Sequence, residues 1–446
     1  RSLLGYEQVN VVGISYGTRL AQSYMRMYPQ SIRSVVLDSV FPTGYDLWTN
    51  FEPGAARAFD QLFDGCARSS ECAAAYPDFE DRFFEFLDRL DAQPIEVQAR
   101  DLLDGSTVQV VLDGDDVMGL VFNALYDRSQ FAAVPQMVVD GLEGRYETIE
   151  LLASVLVTNL DFVSLGMRLS VECNEEIPFE SEETMLANRA AEGPYARLAD
   201  LDGGLTLFDL CETWPAGTAP TVEAMPVESD IPTLVLAGQY DPITPPAGAD
   251  QVTAGLTNAY SFLLPHEGHG ITPTGCGSEL VAAFIDDPGT EPDDSCIADS
   301  PAPFWTPLAE QPAIELVEFQ SEGLVTISGV RPDGWTDAGN GVFVRQQTAV
   351  DPTSLVIQPT GGLGGEALIN LLAGQLELNL VADEPVEIDG TVWERFSSPT
   401  SSQQAARAAV KPGTDGVLVL LVARSEEIDA LFDEIFVPVA SAATPG

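Results

Sequence analysis

Lysine is almost absent from this sequence: Lys411 is the only one, and every other basic residue among the 20 is an arginine. Against 69 Asp and Glu they leave a formal net charge of -49. A field that negative repels phosphate backbones and anionic lipid, so no nucleic acid is expected as a partner. Histidine is nearly as scarce, with His266 and His269 alone, and no cysteine pair has CxxC spacing. A zinc site therefore has little to build on, and no residues support a metal or nucleotide cofactor. Nor does any apolar run approach the roughly 20 residues of a bilayer-crossing helix, so no membrane span is expected.

What is present reads as globular. The 446 residues are 45% hydrophobic and 20% charged, enough for several domains and a large core rather than a disordered chain. The six cysteines fall as Cys66 with Cys72, Cys173 with Cys211, and Cys276 with Cys296. Three disulfides in an oxidising setting, extracellular, periplasmic or at the cell surface, are the favoured reading. Other connectivities, and six buried thiols, stay open at this level.

Along the chain, YEQVNVVGISYG from Tyr6, a helix-period stretch from Thr18 to Pro29 and SIRSVVLDSVFP from Ser31 make a βαβ unit. Residues 1–48 are thus the first part of an α/β core. Amphipathic helical patterns dominate 49–225, an expected helical cap. Strand character returns at Ile231 to Gly238 and Ser261 to Leu264, so 226–300 resume the core. The proline- and acid-rich stretch from Asp286 to Gln311 reads as a linker, and the linker between the domains is set at 301–312. Beyond it, 313–446 alternate strand-like runs with helical runs at Gly365 to Leu380 and Glu426 to Phe436, an expected α+β domain.

One motif carries chemistry. Gly13-Ile14-Ser15-Tyr16-Gly17 fits GxSxG between a strand and a helix, where a tight turn presents a serine hydroxyl at a helix N-terminus. Ser15 is the candidate nucleophile, with the Tyr16 backbone amide as an oxyanion donor. A serine hydroxyl needs a base, and His269, between Gly268 and Gly270, is preferred over His266. The acid should precede the histidine. Asp241 follows the strand IPTLVLAG at its carboxyl end, where α/β sites gather, although a turn aspartate before Pro242 would also fit.

As a set, GISYGTRLA, SVVLD, GQYDPITP and GHG resemble the α/β-hydrolase serine peptidases of the prolyl and tripeptidyl aminopeptidase family. SVECNEEIPF, CETWP and the segment around Cys276 and Cys296 are similar to its secreted, tripeptidyl-aminopeptidase-like branch. The resemblance covers roughly residues 1 to 300. It implies a triad of Ser15, Asp241 and His269, a helical cap, the three local disulfides and peptide substrates with a free N-terminus. Glu175 and Glu176, with Glu172 behind them, become candidates for binding the substrate ammonium. The family places strands and a glycine-rich oxyanion loop before the nucleophile, whereas Ser15 here has 14 residues before it; a fragment of a longer protein is expected. A carboxylesterase with the same triad, or an inert fragment with a binding role, are the alternatives. The opening GLVTISGVRPDGW, GTVWERF and the last helix of the C-terminal region resemble PsbP-like domains.

Overall fold

The computed structural model describes residues 1–446 except 102–105, 161–162, 203–205, 274, 301–313, 322–325, 346–352, 362–364, 366–367, 370–379, 399–403, 414–415, 425–426 and 446. The chain divides into two compact units, Arg1–Pro307 and Leu308–Gly446.

The first unit is built on four parallel strands in the order β1-β2-β5-β6: β1 Val9–Ile14, β2 Ile32–Asp38, β5 Thr233–Gly238 and β6 Ala259–Leu264. In β2 only Arg33 is exposed, and all six residues of β5 are buried. Strands covered on both faces must be near-continuous apolar runs, as VVL and TLVLAG are. Helix α1, Tyr16–Met27, joins β1 to β2 and turns Thr18, Ala21, Gln22 and Met25 inward at helical spacing. Helices α11, Pro246–Thr253, and α12, Gly275–Asp286, follow β5 and β6.

Between β2 and β5 lies the insertion. It holds α2 Phe51–Arg68, α3 Ser70–Ala75, α4 Phe79–Ala92, α5 Gly114–Ala124, α6 Ala133–Leu142, α7 Glu147–Leu160, α8 Leu165–Glu175, α9 Glu182–Ala191 and α10 Leu207–Thr213. Its core is aromatic: Phe59, Phe83, Phe86 and Phe131 are fully buried, Phe63 nearly so. The helical pattern is interrupted by an antiparallel hairpin, β3 Ile95–Arg100 with β4 Thr107–Leu112, whose first strand alternates buried Ile95, Val97 and Ala99 with exposed residues. A parallel sheet with a strand-turn-helix at Ser15 and a mostly helical insertion between its second and third strands is an α/β-hydrolase fold.

All six cysteines are paired: Cys66–Cys72, Cys173–Cys211 and Cys276–Cys296. The last pair corrects one boundary. The stretch expected to act as a linker from Asp286 carries a short helix, α13 Ser295–Asp299, which Cys296 fastens to α12. The expected linker over 301–312 lies outside the described residues, as do 366–367 and 370–379 of the helix expected from Gly365 to Leu380.

The second unit is mainly antiparallel. Strands Thr391–Ser397, Gln404–Val410, Val417–Arg424 and Ser354–Pro359 lie side by side in that order. The helical segment Ile428–Ala442 packs Ile428, Leu431, Ile435, Phe436 and Val439 against one face.

Candidate active site

Ser15 sits between β1 and α1 with φ 57° and ψ -126°, a conformation that costs a non-glycine residue about 1–3 kcal/mol and persists only where the surroundings enforce it. They do. The Ser15 N–H donates to the Asp38 carbonyl at 3.0 Å, and the Ser15 carbonyl accepts from the Thr18 N–H at 2.9 Å and hydroxyl at 2.6 Å. Strand and helix approach so closely that a Cβ on Gly13 would lie 2.3 Å from the Gly17 carbonyl oxygen, which is why glycine stands there. Tyr16 begins α1, so its N–H belongs to the first turn, whose amides have no acceptor within the helix.

His269 follows β6. Its N–H donates to the Tyr126 carbonyl at 2.8 Å, and its ring lies 4.8 Å from the Tyr126 ring. Nδ1 meets Asp241 Oδ2 at 2.8 Å. An acceptor there places the ring proton on Nδ1 and leaves Nε2 as the basic nitrogen. Asp241 is fully buried just after β5. Its Oδ1 accepts from the Ile243 and Thr244 N–H groups at 3.0 and 2.8 Å, and its Oδ2 also accepts from the Thr244 hydroxyl at 2.7 Å. Burial pulls the imidazole pKa down, but the charge and hydrogen bond of Asp241, with the charge of Asp38, more than offset it and leave His269 above the ordinary histidine value. His266 bonds elsewhere, with Nδ1 3.0 Å from the Ser300 carbonyl.

The histidine loop runs beside the serine turn: a Cβ on Gly270 would lie 3.6 Å from Ile14 Cγ2. Among the described residues, Ser15 Oγ makes no hydrogen bond within the protein. Ser15 and Tyr16 open onto a cavity of about 720 Å³ that Tyr126 and Thr244 also line, together with Trp48, Phe51, Phe122, Met167 and Leu207. Its size suits a small ligand and its walls suit apolar groups.

The acids of the cavity are distributed differently from the sequence expectation. Glu176 and Glu172 line it, and Glu175 does not; the Glu175 carboxylate accepts from the Tyr16 hydroxyl at 2.9 Å. Glu176 is buried against Arg19 at 2.5 Å, and burial, opposed by Arg19 and reinforced by Glu180, Glu175 and Glu172, pushes its pKa up to about 8. Glu172 pairs with Arg168 at 3.0 Å. Glu52, not singled out by any motif, also lines the cavity at 1% exposure. Its Oε1 is 2.8 Å from Arg189, and its buried Oε2 has no hydrogen-bond partner among the described residues. Glu180, raised to about 7 chiefly by burial, accepts the Trp48 and Thr49 N–H groups at 3.2 and 2.5 Å and so fixes that wall. Apart from Arg168 and Glu172, four residues apart on α8, these pairings are tertiary, and nothing in local sequence marks them. Asp38 and Thr244 did have a signal, since both lie at or just past the carboxyl end of a parallel strand. No group of three or more His, Cys, Asp or Glu among the described residues is placed to hold a metal.

Residues 203–296 match the family model Abhydrolase_4, TAP-like protein. The chain is similar to YuaR of Escherichia coli (strain K12), 27% identical over 66% of this chain and 60% of that protein. It is also similar to the serine protease Hip1 of Mycobacterium tuberculosis (strain ATCC 25618 / H37Rv), 24% identical over 64% of this chain and 57% of that protein. It thus spans less than two thirds of the length of these curated relatives. Among solved structures, MGS-M2, an alpha/beta hydrolase enzyme from a deep-sea metagenome library, aligns over 66% of this chain and 69% of that one at 17% identity and a TM-score of 0.27. The first unit thus has an α/β-hydrolase fold, part of it matches a TAP-like family model, and a serine protease is among the proteins the chain is similar to.

Proposed function

We propose that this chain is a serine peptidase that cleaves peptides close to a free N-terminus, with Ser15 as nucleophile, His269 as general base and Asp241 as the group that orients His269. The observation that carries the reading is the strained Ser15 on its strand-helix turn, facing a cavity beside a histidine whose Nδ1 is committed to a buried carboxylate. In this scheme Ser15 Oγ attacks the peptide carbonyl carbon while its proton passes to His269 Nε2. The Tyr16 N–H donates to the resulting oxyanion. The C–N bond then breaks as the imidazolium returns the proton to the leaving amine, and water, deprotonated by His269, hydrolyses the acyl-enzyme.

The peptide substrate is supported by the likeness to a serine protease and the free N-terminus by the acids of the cavity. Glu52, Glu172 and Glu176 are each paired with an arginine, and among the described residues the buried Glu52 Oε2, like Glu176 Oε1, has no hydrogen-bond partner. A substrate ammonium would supply one. The three disulfides support a site of action outside the cytosol, extracellular, periplasmic or at the cell surface. Turnover of alanine 4-nitroanilide and of its N-acetyl form tests the specificity. The free-amine compound is expected to be the better substrate by at least about tenfold in kcat/KM, and Glu52→Gln to shrink that ratio, a charge-assisted hydrogen bond being worth about 1.5–3 kcal/mol. Turnover of the N-acetyl form and of simple esters as fast as the free-amine compound would instead indicate a carboxylesterase.

A further inference from the structure

Asp38 ends β2 and is fully buried, yet among the described residues no arginine, lysine or histidine pairs with it. A carboxylate taken out of water without a cation is costly and calls for a reason. Its contacts supply one. The Asp38 backbone carbonyl accepts from the Ser15 N–H at 3.0 Å. Its side-chain Oδ2 accepts from both the N–H and the hydroxyl of Thr272, at 2.6 and 2.5 Å, three residues past His269. Oδ1 accepts from the Ser39 hydroxyl at 3.1 Å, and Ser39 Oγ in turn accepts from the Gly270 N–H at 2.8 Å. Ser39, like Ser15, has a left-handed φ, here 55°, and its own N–H is tied to the Leu236 carbonyl of β5 at 3.0 Å. Two consecutive residues therefore hold the nucleophile turn with backbone and the histidine loop with side chains.

We propose that Asp38, with Ser39, is a positioning residue for the reaction of Ser15: it joins the serine turn to the His269 loop and offers a second buried negative charge to the imidazolium formed during catalysis. The inference rests on the serine-hydrolase reading above. The joint alone could be made by any small acceptor, so the charge is the distinctive part. The groups in contact with the His269 ring are Asp241 and Thr244 from the loop after β5 and Tyr126 just past α5, and the charge of Asp38, with no hydrogen bond to the ring, also acts on it. Arg57 is turned to the Gln239 and Asp241 backbone carbonyls. Of these, Asp241 and Asp38 carry the negative charge that favours a protonated ring.

The test compares Asp38→Asn, which keeps an acceptor for Thr272 but no charge, with Ser39→Ala, which keeps the charge but removes the acceptor for Gly270 and the hydroxyl donated to Asp38 Oδ1. Both are assayed for kcat, KM and the pH dependence of fluorophosphonate labelling on the full chain. For Asp38→Asn the acid limb of the labelling profile is expected to move to lower pH, because loss of a negative charge makes the imidazolium easier to deprotonate. For Ser39→Ala kcat is expected to fall about 10- to 100-fold with KM little changed, since a displacement near 1 Å costs on that order. An acid limb that stays in place, with kcat within twofold of the unsubstituted chain for both variants, would overturn the inference alone. An unsubstituted chain that neither turns over nor labels would overturn the serine-hydrolase reading and the inference with it.

Discussion

Gly268→Ala is the most informative small perturbation, because it displaces the histidine loop without touching a reacting group. A Cβ at Gly268 would meet the Leu125 carbonyl oxygen at 2.3 Å and the Tyr126 carbonyl oxygen and carbon at 2.6 and 2.8 Å, all of them backbone. On the other side, Gly268 O is already so close to β5 that a Cβ on Gly238 would lie 1.9 Å from it. The loop cannot retreat that way. Relief to ordinary van der Waals separation needs a shift of about 1 Å, and His269 is the next residue, held to the same Tyr126 carbonyl. A misplacement of that size at a catalytic group costs about 100-fold in rate, while overpacking of this kind costs about 1–3 kcal/mol in stability. The assay is kcat on alanine 4-nitroanilide beside a thermal melt. The expectation is a fall in kcat near two orders of magnitude in a protein that still melts cooperatively. A variant within threefold of the unsubstituted chain would refute the inferred coupling between this close approach and the base.

Other consequences are open to simple assays. Replacing Cys173 and Cys211 by serine releases a crosslink spanning 38 positions, worth about 4 kcal/mol by loop entropy; urea denaturation should show a loss of that order, and a loss below about 1 kcal/mol would count against it. Because His269 is held above its ordinary pKa and must be neutral to accept the serine proton, activity should fall on acidification with a midpoint above the ordinary histidine value; a midpoint below that value would contradict the electrostatics of the Asp241 and Asp38 pair.

Features set by short stretches of chain were legible in the sequence. The Ser15 turn needs only apolar strand, glycines and helix in order, and Asp241 and His269 were marked by position after strands. Features set by packing were not. Gln404–Val410, QAARAAV, is rich in alanine and has no strand signature of its own, yet it is a strand with Ala405 through Val410 buried, because strands flank it on both sides. The β3–β4 hairpin does alternate, but it is embedded in helical sequence. Glu52 looked like one acid among 69; its pairing with Arg189, 137 positions away, exists only once the insertion has folded.

The central claim is that Ser15 is an activated nucleophile. Its most direct test is incubation of the folded chain with a fluorophosphonate, followed by intact mass and peptide mapping. One adduct per chain is expected on the peptide bearing Ser15, absent in Ser15→Ala and strongly slowed in His269→Gln. A folded chain that takes up no label, or takes it up on another residue, would contradict it.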